Sequence, residues 1–228
     1  MIIDNLIESE KEFFNGKDIV ISPEEDDGAI AGVQEVLMIY RAVIKEVSTK
    51  LDILDYEFKI RRQRNPIEYM KSRVKTPMSI MEKLRRKGLE MSVQSARENL
   101  NDIAGIRVIC SFVSDIYEIA EMLKSQDDIR LIEEKDYIKN PKPNGYRSLH
   151  MVLEIPIFFS DHVEYGRIEI QIRTIAMDFW ASLEHKLYYK SGQKVPVHIS
   201  GELKECADVI ASTDERMQKL QREVEKLG

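Results

Sequence analysis

The stretch VEYGRIEIQIR, residues 163–173, admits one kind of regular structure. Ile168, Ile170 and Ile172 alternate with Arg167, Glu169, Gln171 and Arg173. Extended backbone sends the isoleucines to one face and the four polar side chains to the other. A helix would mix them. This strand therefore belongs to a sheet with one face on a core and one polar face. The polar face is either solvated surface or the wall of a site, and this segment alone leaves both open.

A second strand tilts the balance toward a site. Residues 103–113 (IAGIRVICSFV) form an apolar run interrupted by Arg107, where an unpaired cation is unfavourable. Asp102 stands at its start. A sheet face bearing Asp102, Arg107, Glu169 and Arg173 reads as a polar cleft.

The remaining elements follow from periodicity and caps. Apolar positions 33, 36/37, 40, 43/44, 47, 51, 54 and 58 predict an amphipathic helix over 31–58. Thr76-Pro77 reads as N-cap and first helical residue, with Gly88 as the stop. On that short helix Ser79, Lys83 and Arg86 share a face at spacings of four and three. Ser114 is expected to cap a helix running to about Lys124, and strands are expected near 129–134 and 147–155. Thr174 caps the helix IAMDFWASLEHKLYYK, and a last amphipathic helix covers 203–227. The class is α+β: a mixed sheet of about five strands flanked by helices. Residues 1–58 form an N-terminal helical flank, 59–190 the core and 191–228 a C-terminal helix, in one structural domain.

Charge locates the partner. Between Lys59 and Lys87 stand eleven Lys or Arg and two acids, so the window carries +9. The formal net charge is −6, which leaves −15 for the rest. A polyanion is expected at the window, while the acidic remainder argues against nonspecific adhesion to DNA or other nucleic acid. No apolar run approaches the roughly 20 residues of a membrane span. The start, MIIDNLIESEKEFF, lacks a basic n-region, so neither signal peptide nor membrane attachment is expected and the location is cytoplasmic. Cys110 and Cys206 are too few for a disulfide framework or zinc cluster, and Cys110 reads as a buried thiol.

Two carboxylates beside a phosphate-binding cluster suit Mg²⁺, which is held by one or two carboxylates plus substrate phosphates. Asp102 and Glu169 supply that pair. Walker A and kinase glycine loops are absent, so side chains must hold the phosphates. The loop KPNGYRSLH, 142–150, gathers Lys142, Arg147 and His150 around Tyr146. A tyrosine ring offers a stacking platform for a base, with cations for its phosphates. Taken alone, the loop also reads as the start of a strand, with Tyr146 as a packing residue. Two other functions stay open on residues alone: an RNA-binding module using the basic window, and a nucleotidyltransferase releasing pyrophosphate.

Four ordered segments then carry a resemblance: NPIEYMKSRVK (65–75), NDIAGIRVICSFVSDIY (101–117), KDYIKNPKPNGYRSLH (135–150) and EIQIRTIAMDFWASLEHKLYYK (169–190). Together they resemble the synthetase domain of RelA/SpoT homologues, a nucleotidyltransferase-like fold. The length points to the single-domain small alarmone synthetases, most similar to the RelP branch. The resemblance implies transfer of pyrophosphate from ATP to the 3′-hydroxyl of GDP or GTP, Mg²⁺ as cofactor and a homotetramer, and it leaves regulation by RNA open. Arg73 and Arg107 would sandwich adenine, and Lys75, Ser79, Lys83 and Arg86 would hold the ATP phosphates. Asp102 would bind metal, and Glu169 would accept the proton and share the metal. Tyr146 would stack on guanine, with Lys135, Lys142, Asn144, His150, Gln171 and Glu184 around the acceptor. The sequence has no His-Asp dipeptide, and its first histidine is His150, so the hydrolase activity of the bifunctional relatives is not expected.

Overall fold

The computed structural model describes residues 27–191 and 196–227. The part of the expected N-terminal flank before residue 27 lies outside the described residues. The elements run α1 (Asp27–Arg62), β1 (Ile67–Val74), α2 (Pro77–Lys87), α3 (Val93–Asn99), β2 (Ala104–Cys110), α4 (Val113–Lys124), β3 (Arg130–Asp136), β4 (Leu149–Phe158), β5 (Val163–Thr174), α5 (Ile175–Ser191) and α6 (Val197–Val224). The architecture is α+β, with one five-stranded mixed sheet in the order β1-β2-β5-β4-β3. β2 and β5 pair in parallel at its centre, and the other neighbours are antiparallel.

Alternation along each strand separates two sheet faces. On one, Ile106 and Val108 of β2, Ile168, Ile170 and Ile172 of β5, and Met151, Leu153 and Ile155 of β4 are buried. The stripe of α1 covers them with Val36, Tyr40, Val43, Val47, Leu51, Leu54 and Phe58, burial that drives the helix onto the sheet. α1 crosses β5 closely at Gly166, where an added Cβ would come within 2.2 Å of Val43 Cγ2. Only glycine permits that approach.

The other face is polar, and register lines it up in rows. Lys71, Arg107, Gln171, His150 and Lys135 are successive cross-strand partners across all five strands. The next row holds Arg73, Gly105, Glu169, Val152 and Glu133. The polar residues of 163–173 are thus one column of a continuous wall.

Several boundaries differ from expectation. β1 lies inside the basic window. Its inward residues, Met70 and Val74, flank Ser72, so the apolar half of the alternation is thin. α3 is an additional short helix, capped by Ser92 Oγ, which accepts from the Ser95 N–H at 3.1 Å. Ser114 is not a cap. α4 starts at Val113 with Phe112 as its N-cap, two residues earlier, and the buried Asp115 carboxylate accepts from the Phe112 N–H at 3.0 Å. The last helix starts at Val197 instead of 203. Thr174 does cap α5, its Oγ1 accepting from the Met177 N–H at 3.1 Å. Cys110 is buried, and burial pushes its thiol up to about 12. No helix among the described residues is long and apolar enough to cross a membrane.

Candidate active site

Three clefts adjoin along the polar face. The first is formed where β1 gives way to α2. The Lys75 N–H donates to the Ile103 carbonyl at 2.8 Å, fixing the strand end against the approach to β2. Thr76 then caps α2, accepting from the Ser79 N–H at 3.3 Å, with Pro77 in the first turn and Gly88 in the left-handed region at the C-cap. This short, well-delimited helix places Ser79, Lys83 and Arg86 beside Lys75 in a cleft of about 390 Å³, together with Glu82, Arg85 and Asp102. Four cations against two acids make it an anion site. Asp102 Oδ2 takes Lys75 Nζ at 3.0 Å and Lys83 Nζ at 2.5 Å, while its Oδ1 is buried and has no hydrogen-bond partner among the described residues. Burial works against the carboxylate, but the two lysines outweigh it and hold Asp102 below its ordinary range.

Asp102 also borders the second cleft, of about 230 Å³, lined by Lys71, Ser72, Arg73, Gly105, Ile106, Arg107, Glu169 and Gln171. The two arginines expected around a base therefore line one space. Arg107 is also tied on its far side, where Nη1 donates to Asp178 Oδ1 at 3.1 Å. Glu169 Oε2 accepts from Gln171 Nε2 at 2.9 Å, and its Oε1 lies 3.5 Å from His150 Nδ1. Burial disfavours this carboxylate too, yet the His150 and Gln171 contacts prevail and hold it below the usual glutamate range, against the opposing charge of Asp102. Glu169 is therefore ionised at neutral pH.

Glu169 in turn borders the third cleft, of about 200 Å³, with Glu133, Lys135, Tyr137, Lys142, His150 and Val152. The KPNGYRSLH loop walls this side. Its turn closes with the Gly145 N–H donating to the Lys142 carbonyl at 2.8 Å. Gly145 sits at φ +89, and a Cβ there would meet Ala207 Cβ of α6 at 2.5 Å, so the loop is pressed against that helix. Tyr146 is half-buried. Its hydroxyl lies 2.7 Å from His150 Nε2 and accepts from Arg173 Nη2. Its ring carries Lys142 Nζ 4.8 Å and Arg173 Cζ 5.0 Å from the centroid.

The expected residues thus sort unevenly. The phosphate cluster comes together around Asp102, and Lys135, Lys142 and His150 gather with Glu169. Tyr146 stands just behind the third cleft, and Tyr137 lines it instead, with Lys142 Nζ 4.7 Å from its ring centroid. Gln171 lines the second cleft, not the third. Asn144 Nδ2 donates to Glu184 Oε1 at 3.0 Å, so those two candidates bond each other outside the lining of the third cleft. Arg147 leaves the site, donating to the Gly145 carbonyl at 3.2 Å and pairing with Asp208 of α6 at 3.4 Å. Sequence reasoning missed Tyr137 and Asp178. Arg107 inside an apolar strand signals that a counter-charge is needed, but Asp178 belongs to the helix after β5 and not to the one after Arg107's own strand, so the sequence does not say which acid supplies it.

Residues 72–194, just over half of the chain, match the family described as "Region found in RelA / SpoT proteins". GTP pyrophosphokinase YwaC of Bacillus subtilis is 49% identical over 189 residues, covering 83% of this chain and 90% of the relative. The crystal structure of small alarmone synthetase 2 from Bacillus subtilis superposes with a TM-score of 0.75 at 48% identity, covering 83% of this chain and 97% of that one. Small alarmone synthetase 1 from the same organism, bound to its product pppGpp, gives 0.76 at 35% identity over 84% and 97%. Family region, near full-length relatives and a common fold agree: this chain belongs to the RelA/SpoT family, with small alarmone synthetases among its relatives.

Proposed function

We propose that this chain is a synthetase of guanosine 3′-pyrophosphates, moving pyrophosphate from ATP to the 3′-hydroxyl of GDP or GTP. One observation carries the reading. Asp102 is shared by the first and second clefts and Glu169 by the second and third, so the two carboxylates stand at the junctions of a cationic cleft, a cleft with two arginines and an aromatic one.

In this reading the acceptor 3′-oxygen attacks the β-phosphorus of ATP, the bond from that phosphorus to the α–β bridging oxygen breaks, and AMP leaves. The 3′-hydroxyl proton passes to the ionised Glu169. Arg73 and Arg107 flank adenine, since guanidinium planes stack on aromatic rings. Lys75, Ser79, Lys83 and Arg86 take the phosphates, and Lys75 and Lys83 must shift from Asp102 to do so. Tyr146 serves the guanine through its ring, with Lys135, Lys142, Asn144, His150, Gln171 and Glu184 as the acceptor's polar surroundings. Mg²⁺ suits the buried, unpartnered Oδ1 of Asp102 together with Glu169, and when bound it supplies charge neutralisation on the transferring phosphates. Two carboxylates leave room for substrate oxygens to complete its shell.

Further parts belong to the same reading. The segments 1–58, 59–190 and 191–228 act as one domain, the chain sits in the RelP branch, and it works in the cytoplasm without its own hydrolase activity. A homo-oligomer, tetrameric by resemblance, accounts for exposed Phe179, Leu183 and Leu187 on α5 and Val209, Leu220 and Val224 on α6.

The test is incubation with ATP, GDP or GTP and Mg²⁺, with products separated by anion exchange. AMP and a 3′-pyrophosphorylated guanine nucleotide are expected, and EDTA should abolish both. Free pyrophosphate from ATP, or turnover in EDTA, contradicts the reading; RNA binding without turnover favours the binding-module alternative.

A further inference from the structure

We propose that Asp178 is a positioning residue for the donor half of the site, holding Arg107 at the second cleft while Arg173, which it also contacts, keeps other partners on the acceptor side. The inference rests on the reading above, which places adenine at Arg107 and guanine at Tyr146.

Asp178 enters from the first turn of α5 and is 5% exposed. Its Oδ1 accepts from Arg107 Nη1 at 3.1 Å and from Arg173 Nη1 at 3.2 Å, and its Oδ2 accepts from the Tyr69 hydroxyl at 3.0 Å. Two guanidinium groups from neighbouring strands therefore share one carboxylate oxygen. Without its charge they would repel each other in a region with little water to screen them. The helix N-terminus favours an anion at this position.

The two arginines do not depend on Asp178 equally. Arg173 is also held by Ser148 Oγ at 3.3 Å, Gln171 Oε1 at 2.9 Å and the Tyr146 hydroxyl. Arg107 has Asp178 as its one hydrogen-bond partner among the described residues, and its Nε is buried without a partner. Its side chain is 36% exposed against 4% for Arg173. Loss of the carboxylate should therefore release Arg107 into the second cleft while Arg173 stays behind Tyr146.

Asp178→Asn keeps shape and removes charge. Affinities for a non-hydrolysable ATP analogue and for GDP are measured separately on the folded variant. ATP-analogue affinity should fall about 5- to 20-fold, as for loss of a charged hydrogen bond at a partly exposed group, and GDP affinity less than about threefold. Placed in an Arg107→Ala background, Asp178→Asn should cost no further ATP-analogue affinity. Unchanged affinities, equal losses for both nucleotides, or a full additional loss in that background overturn the proposal. If Arg107→Ala alone leaves ATP-analogue affinity intact, the adenine assignment fails and takes the donor link with it, an outcome distinct from additivity. Should Asp178→Asn not fold, Tyr69→Phe frees one carboxylate oxygen and keeps the charge. It should weaken the ATP analogue about two- to threefold in wild type and not at all in Arg107→Ala; equal losses in both backgrounds overturn the proposal.

Discussion

The two ends of the proposed site, donor and acceptor, are built on opposite principles. At the donor end, an edge strand and a short helix project lysines and arginines, of which Lys75 and Lys83 pair with Asp102. At the acceptor end, a loop is wedged against α6, and its tyrosine is already bonded to His150 and Arg173. On the proposed reading the first end recognises charge and exchanges its ion pairs with Asp102 for the phosphates. On the same reading the second recognises shape, through a loop already packed against α6. A triphosphate is identified well by charge alone, whereas telling guanine from other bases needs fixed surfaces.

Three measurements break or sharpen this contrast. The largest effect belongs to the residue between the two ends. Glu169→Gln keeps shape and removes the proposed proton acceptor, so kcat should fall by ~10²–10⁴ while affinity for either nucleotide changes little. A loss below about tenfold, ~1.4 kcal/mol, would assign the proton elsewhere.

Next comes the preset end. Tyr146→Ala should weaken the acceptor about 5- to 150-fold, as for loss of a base-stacking ring, and leave ATP affinity near wild type. From sequence alone Tyr146→Phe reads as far milder, because stacking uses the ring. The structure revises that: the hydroxyl anchors the ring to His150 and Arg173, so Phe should itself cost about 3- to 10-fold in acceptor affinity. Equal losses for ATP and acceptor would make Tyr146 scaffold for both ends and dissolve the contrast.

The smallest effect is ionic. Raising salt from about 50 to 300 mM shortens the screening length about 2.5-fold and weakens exposed charge contacts, so KM for ATP should rise about two- to fivefold and KM for the acceptor less. The reverse order would place the charge-dependent step at the acceptor.

What could be read in advance followed the same division. Strict alternation at Ile168, Ile170 and Ile172 exposed the central strand, and Thr76, Pro77 and Gly88 delimited α2, because local rules govern both. Asp102 and Glu169 stood out as acids beside a cationic window. β1 stayed hidden because its exposed side chains dominate its pattern and only Met70 and Val74 mark the inner face. Tyr137 and the partners of Asp178 depend on which strands neighbour each other, and periodicity carries no record of neighbours. Arg147 looked like part of the cationic crowd, yet it serves α6 because the turn at Gly145 directs it there.

The parallel pairing of β2 with β5 also bears on how the protein is made. Ala104 partners Ile168 and Gly105 partners Glu169, so the segment carrying Asp102 meets the strand carrying Glu169 only after the intervening chain has closed a long loop. Such closures are slow and come after local contacts. On the proposed roles of Asp102 and Glu169, catalytic competence should therefore arrive with completion of the central sheet rather than grow in stages.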